Sequence, residues 1–596
     1  MASQEVLDGP AFWAPTILTR TPLSLKRILL IGTCFVNSWK KPFESLGIET
    51  DILHLNSLPK HLPRAAEAYE FQVVAIPLRA VMPESCYLPL KYSNVQEFEQ
   101  LFDERCSYMD SVLRDTLQLG LSNKLVTFVT NFFVPMSNPN GRFAPRYDFR
   151  NPVYFVERLN QKLDELTRTY ENTYIFDVDR LSAGLGRRYI QDDFICAYSH
   201  GSIFDDCGYL EDQKRIEPQP RLTVTYENHG DQFLKVVWSD LFAQYRTLRG
   251  IDGVKMVIMD LDDTLWRGVV GDSVVVDNSM SEGWPLGVAE ALIYLKRRGI
   301  VLGLVSKNEE STVRKAWPKL IGHKLTMDDF AFRRINWKPK SENIGDIIQI
   351  ANILPSSVVF VDDNPVERAS IEAAFPGIRT LGEHPYGIRR ALLWSSETQF
   401  TTITEESLRR SEMMLKQADR ELSRKSLTRE EFLRSLHVKL EAILITSTKH
   451  PRFERVLELV NKTNQFNTSG KRWTQQEFSD WLDHGKNIMA FCVEDKFSDY
   501  GLVVVVIFEK GLIEQFVMSC RVAGMEVELA ALSLVVKAAS ANGSADVLGS
   551  ITETQANLPI RDLYRSAGFL NIDGQWSVPS GTTVKMPSSI SLVEKS

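Results

Sequence analysis

Seven cysteines in 596 residues, none in a Cys-x-x-Cys pair, leave this chain without the material for a disulfide framework or a thiolate zinc site. A basic surplus is missing too. The 69 Lys and Arg against 76 Asp and Glu give a formal charge of -7, which argues against general binding to nucleic acid or an anionic membrane. No apolar run reaches bilayer length; the longest, such as Leu502 to Phe508, are strand-sized. The first residues lack the basic start and apolar stretch of a secretory signal, so a cytoplasmic protein with reduced thiols is expected. Internal repeats and long low-complexity tracts are absent as well. What remains, 44% hydrophobic and 24% charged, is ordinary globular composition, and this length suits roughly three to four cores of about 150 residues.

Apolar strand-sized runs alternate with amphipathic stretches of helical spacing, which predicts a multidomain α/β protein. The first α/β domain is placed at 20–249, with strands at 27–32, 71–77, 124–134 and 173–178 and long helices at 95–119 and 152–170. A second follows at 250–395, with strands at 255–259, 301–305 and 358–361. Residues 396–436 carry a dense run of Arg, Glu and Lys and read as an exposed helical connector. The stretch 437–574 reads as an α+β or α/β domain with an antiparallel meander, 575–596 as a tail, and the Ser- and Pro-containing chain after Val578 as disordered.

Four elements in the second domain carry chemistry. The run Val257-Ile258-Met259-Asp260-Leu261-Asp262-Asp263-Thr264 joins an apolar strand to two carboxylates one residue apart. In an open α/β sheet, ligands bind at the carboxyl ends of the strands, where Asp260 would stand. One carboxylate can attack phosphorus while the other handles protons. Ser306 follows the strand Val301 to Val305 and offers a hydroxyl to a phosphoryl oxygen, with Thr264, Lys307 and Asn308 as further substrate contacts. Lys338 supplies a positive charge, and Asp362 and Asp363 again follow an apolar strand. Asp260, Asp262, Asp362 and Asp363 together suit Mg2+, a hard cation that takes oxygen ligands. An acid after a strand also caps helices, and a lysine is usually solvated; the order and spacing of all four elements favour the phosphoryl-transfer reading.

This pattern resembles the haloacid dehalogenase superfamily, whose four motifs match Asp260/Asp262, Ser306, Lys338 and Asp362/Asp363. The resemblance implies a Rossmann-like domain in which Asp260 forms an aspartyl-phosphate. Asp262 would then protonate the leaving oxygen and activate water. The short spacings leave no room for a large cap, so the site is expected to be open and covered by a macromolecule or carrier.

The string from Asp260 to Asp272, with Val305 to Glu309 and Phe360 to Arg368, is more closely similar to FkbH-like proteins of polyketide-type pathways. In the last domain, Phe516-Val517-Met518-Ser519-Cys520-Arg521-Val522 sets a cysteine at the end of an apolar strand before a helix near Glu526. Helix amides and Arg521 could favour its thiolate, though the same position suits a buried structural cysteine. Together with Asn461 to Asn467, Asp495 to Leu502 and Thr552 to Asn557, it resembles the GNAT-like acyltransferase half of FkbH proteins, with a departure at Ala523-Gly524-Met525. The resemblance implies that Cys520 accepts a glyceryl unit from 1,3-bisphosphoglycerate. The unit would pass as a thioester to the phosphopantetheine of an acyl carrier protein, and the phosphatase site would remove the remaining phosphate. His437, His450 and His484 share this domain without being assignable as a base. The alternative is a stand-alone phosphomonoesterase whose C-terminal domain only binds a carrier or partner.

At the N-terminus, Arg27 to Ser38 resembles the SGNH-hydrolase-like domain, of flavodoxin-like fold, that often precedes an FkbH phosphatase domain. Thr33 and Cys34 stand where such hydrolases have Ser. With Asn131, His200, Asp205 and Asp206 as possible partners, a degenerate scaffold or carrier-docking surface is expected over an active esterase.

Overall fold

The computed structural model describes residues 9–33, 35–191, 229–270, 276–322, 324–405, 428–541, 546–554, 556–579 and 582–593. Cys34, His200, Asp205, Asp206, Asp272 and the whole of the charged stretch 406–427 lie outside these residues. The chain divides into two compact units, one of Met1–Ala14 and Pro22–Ala243 and one of Pro15–Thr21 and Gln244–Ser596. Among the described residues, no helix is long and apolar enough to cross a membrane.

The first unit is built on five parallel strands in the order β2-β1-β3-β4-β5: β1 Arg27–Gly32, β2 Glu49–His54, β3 Gln72–Val74, β4 Thr127–Thr130 and β5 Thr173–Phe176. β3 and β4 are buried throughout and β1 in all but its first residue, Arg27, as a parallel sheet covered on both faces requires. The expected strand at 124–134 contracts to β4. Asn131 just beyond it donates from Nδ2 to Asp177 Oδ1 at 2.6 Å and accepts the amide of Asp179 at 3.0 Å, so its side chain ties two loops together.

The second unit holds two sheets. The first has five parallel strands in the order β10-β9-β6-β7-β8: β6 Met256–Met259, β7 Val301–Ser306, β8 Phe332–Ile335, β9 Val358–Val361 and β10 Arg379–Leu381. Side chains alternate across it with the period of two that a strand dictates. Met256 and Ile258 pack with Ile344, Ile347 and Ile371, while Val257 and Met259 pack with Leu292, Leu295 and Leu392. Both faces are therefore covered, and every strand of the middle points its carboxyl end at one edge.

The second sheet has eight strands in the order β16-β17-β15-β14-β13-β12-β11-β18. Its middle is an antiparallel meander of β11 Val438–Ile445, β12 Asn487–Glu494, β13 Asp499–Glu509 and β14 Leu512–Met518. β14 pairs in parallel with β15 Asp546–Gly549 at Leu512 and Ile513 only, so the two separate toward Met518. The freed end of β14 is taken up by the Phe466–Thr468 segment, where the Met518 amide donates to Phe466 O at 2.9 Å and the Thr468 amide to Phe516 O at 3.1 Å.

Two stretches differ from expectation. Among the described residues, the chain after Val578 is not a disordered tail: β17 Gln575–Pro579 pairs with β15 and β16 Leu570–Ile572, and β18 Ile590–Leu592 pairs with β11, burying Ile590. Strands of three to five residues among Ser and Pro are too short for alternation to register. The stretch 396–436 is not an exposed connector at its ends. Ser396, Glu397 and Thr398 are buried, and the helix Arg429–Leu436, opened by a Thr428/Glu431 capping box, buries Phe432, Leu433 and Leu436.

Candidate functional site

Asp260 follows the last residue of β6, and its amide donates to Val361 O at 2.9 Å, which pins it at the carboxyl edge of the sheet. Asp362 and Asp363 leave the neighbouring strand β9 at the same edge. The carboxylate oxygens of Asp260, Asp362 and Asp363 offer ligand atoms all within 4.8 Å of one another, two of these acids being buried and Asp363 exposed. Between the two buried ones stands Lys340 Nζ, 2.9 Å from Asp260 Oδ2 and 2.5 Å from Asp362 Oδ2. The remaining oxygen, Asp260 Oδ1, is buried with no hydrogen-bond partner. Such an orphaned acceptor costs free energy unless a cation or a reacting group meets it. Three convergent carboxylates with one oxygen to spare fit a divalent cation with oxygen preference.

Burial pushes the Asp260 carboxyl up to about 6, with the Asp362 charge adding and Lys340 opposing. Asp363 is raised by burial and then by Asp362. Burial lowers Lys340, but its two carboxylates outweigh that and hold it above its ordinary value, so it stays charged.

The lysine is a correction. Lys338 was expected at the site, but it is exposed, and Lys340 makes both ion pairs. Pro339 is the N-cap of the helix Lys340–Ala351, which makes Lys340 the first helical residue. Its buried stripe runs Lys340, Asn343, Ile344, Ile347, Ala351. That i, i+3, i+4, i+7 spacing, starting at Lys340, was the signal available in the sequence.

Asp262 sits beside this cluster and belongs to another network. Its Oδ1 accepts from the buried Trp266 indole at 2.8 Å and from the Val270 amide at 3.2 Å, and its Oδ2 accepts from Asn308 Nδ2 at 2.8 Å. It is not one of the clustered carboxylates, so the expected four-acid metal set reduces to three. Asn308 Nδ2 also reaches Ser306 Oγ at 3.2 Å, which brings two of the four predicted substrate residues to the same edge, each buried. Thr264 Oγ1 accepts the Asp363 amide at 3.0 Å and donates to Asp363 Oδ1 at 3.3 Å, clamping the β6 and β9 loops together. Lys307 Nζ is paired with Glu367 at 2.5 Å.

Cys520 lies elsewhere in this unit. It heads a one-turn 3-10 helix, Cys520–Val522, separate from the long helix Val527–Ala541 that was expected to activate it. Arg521 is buried, with its Nε donating to Ser519 Oγ at 3.0 Å. Half-buried Cys520 lines a cleft of about 550 Å³, counting its open mouth, with Lys255, Ile353, Arg455, Lys462 and Gln465. Arg455 and Lys462 share Glu458 at 2.6 and 2.7 Å. None of the three histidines lines this cleft. The other motifs of the domain build its frame: Asn557 Nδ2 donates to Asn467 O at 3.1 Å, and Asp495 accepts from Tyr500 Oη at 3.0 Å.

No family model matches the chain, and no curated protein does. Among solved structures, it is similar to the N-terminal part of a Bacteroides fragilis protein containing a phosphatase domain, complexed with Mg, at 20% identity over 65% of this chain and 97% of that one, with a TM-score of 0.40. It is also similar to an N-acetyltransferase from Staphylococcus aureus, at 15% identity over 23% of this chain and 98% of that one, with a TM-score of 0.18. A lipase from a goat rumen metagenome is 13% identical over 30% of this chain and 92% of that one, with a TM-score of 0.21. Likenesses at these scores assign no function.

Proposed function

We propose that the chain is a Mg2+-dependent phosphatase of haloacid dehalogenase type joined to a GNAT-like acyltransferase, as in FkbH-like proteins. It would take a glyceryl unit from 1,3-bisphosphoglycerate and deliver it, without phosphate, to an acyl carrier protein in the cytoplasm. The observation that carries this reading is the buried Asp260 with one free carboxylate oxygen, held by Lys340 at the carboxyl edge of a parallel sheet.

In this mechanism Asp260 Oδ1 attacks phosphorus, and the bond from phosphorus to the glyceryl oxygen breaks. Asp262, held by Trp266, Val270 and Asn308, protonates that oxygen and then takes a proton from the water that hydrolyses the aspartyl-phosphate. Asp260, Asp362 and Asp363 would hold Mg2+, which supplies positive charge against the phosphoryl oxygens. Lys340 keeps Asp260 ionised and oriented. At the second site, the Cys520 thiolate attacks the acyl carbon of the acyl phosphate, the C–O bond breaks, inorganic phosphate leaves, and a thioester forms.

Cys520→Ala tests the pairing of the two halves. Glyceryl loading of a carrier should be lost while phosphate-ester hydrolysis is kept. Phosphate-ester hydrolysis without any loading by the wild type would leave a phosphomonoesterase with a binding domain, and unchanged loading by the variant would remove Cys520 from the reaction.

A further inference from the structure

The antiparallel meander does not build the cleft at Cys520 alone. Lys255 and Ile353 on its wall come from the chain of the parallel sheet, and Asn352, the C-cap of the helix Lys340–Ala351, donates from Nδ2 to Cys520 O at 3.4 Å. Lys255 immediately precedes β6 and Asp260 immediately follows it, roughly 16 Å further along an extended chain. The cleft therefore opens at the edge of the sheet opposite to the aspartate cluster, and Lys255 faces the thiol's side of the sheet.

Four cationic side chains line this cleft, Lys255, Arg455, Lys462 and Arg521, and none of its described lining residues is acidic. That grouping runs against a chain whose formal charge is -7. Arg455 donates from Nη1 to Glu458 Oε2 at 2.6 Å and from Nε to Leu502 O at 3.3 Å, which fixes its head. Lys462 donates to Glu458 Oε1 at 2.7 Å and lies over the Phe400 ring at 3.7 Å. Glu458 thus carries one charge for two cations, so the cleft keeps a positive surplus. Both arginines are buried. Like charges crowded into a partly dry space repel one another unless an anion meets them. Lys255 and Lys462 also line an adjoining hollow of about 770 Å³, counting open solvent, so they stand where one space leads into the other.

We infer, resting on the function proposed above, that Lys255 of the parallel sheet joins Arg455 and Lys462 of the helix Phe453–Lys462 to hold the phosphoryl oxygens of the acyl donor at Cys520. The thiolate forms the C–S bond with the acyl carbon, the C–O bond breaks, and inorganic phosphate leaves with its electron pair. Lys255 is then a substrate-binding residue that selects anionic acyl donors over neutral ones. The thiol half of the protein depends on the parallel sheet for that selection.

The test is peptide-resolved mass spectrometry of the full chain, reading how fast Cys520 is alkylated by iodoacetate, an anion, and by iodoacetamide, its neutral counterpart. Taking the ratio of the two rates cancels differences in thiol reactivity. For the wild type that ratio should exceed the ratio for a short unstructured cysteine peptide by about tenfold to a hundredfold, the usual worth of a hydrogen bond to a charged group. It should fall in Lys255→Met, recover in Lys255→Arg, and be suppressed by 3-phosphoglycerate. With 1,3-bisphosphoglycerate, Lys255→Met should raise the KM for acylation of Cys520 by a similar factor and change kcat little. A wild-type ratio equal to the peptide's, or one unchanged in Lys255→Met, overturns the anion site while leaving the proposed function standing. Suppression by 4'-phosphopantetheine and not by 3-phosphoglycerate assigns the cations to a carrier's arm and overturns the donor assignment. Anion preference with no acyl group on Cys520 from 1,3-bisphosphoglycerate overturns the proposed function and the donor assignment with it.

Discussion

Lys340 Nζ stands 2.9 Å from Asp260 Oδ2 and is buried with it, so the acid proposed to attack phosphorus is held in place by a cation from the start of a neighbouring helix. The same ammonium reaches Asp362, which makes it the single charge between two buried carboxylates. Removing one partner of a buried ionic set leaves the others uncompensated, at a cost of about 3–5 kcal/mol. Lys340→Met should therefore lose that much in chemical denaturation, along with phosphate-ester hydrolysis. Lys338→Ala, at an exposed position, should change stability by less than about 0.5 kcal/mol and leave hydrolysis intact.

Because burial pushes Asp260 up to about 6, cation binding should depend on pH. Below that value the carboxyl is protonated and a metal must displace the proton; above it the carboxylate is free. Mg2+ affinity should rise from pH 5 to pH 7, by about tenfold per unit below pH 6, with proton release on binding. Calorimetric titration in two buffers of different ionisation enthalpy reads both. An affinity flat across that range would contradict the assignment of Asp260 as a ligand.

Asp262 is separated from the metal set by its own hydrogen bonds, so its loss should harm chemistry more than cation binding. Asp262→Asn should lower kcat by roughly 10²–10⁴, the usual worth of a general acid–base. Asn308→Ala, which frees Asp262 Oδ2, should give a smaller fall in kcat with Mg2+ affinity kept.

The C-terminal residues should be structural. Ending the chain after Pro579 removes β18 and the buried Val584 and Ile590, each worth about 1.5–3 kcal/mol of burial. Thermal unfolding of the truncated chain should show a clear drop in stability. A disordered tail would show none.

That truncation also marks where sequence reading stopped. The central strands of both parallel sheets were legible because each is a continuous apolar run, as strands buried on both faces must be. In these two sheets the strands passed over were β2, β8 and β10, all at a sheet edge, where Asp51, Arg333 with Arg334, and Arg379 interrupt the apolar pattern. Asp260, Ser306, Asp362 and Asp363 could be placed because each follows such a run. Lys340 could not be told from Lys338 by motif order alone; only the phase of the helix after Pro339 separates them. The position of Cys520 at the opposite edge had no local signal, since it depends on how the two sheets of this unit pack together.

The most direct measurement is acid-quenched, single-turnover mass spectrometry of the chain with a phosphate ester and Mg2+. A phosphoryl group on the peptide containing Asp260, absent from Asp260→Asn, is the predicted result. Full hydrolysis by Asp260→Asn, with no phosphorylated peptide in the wild type, would contradict the account.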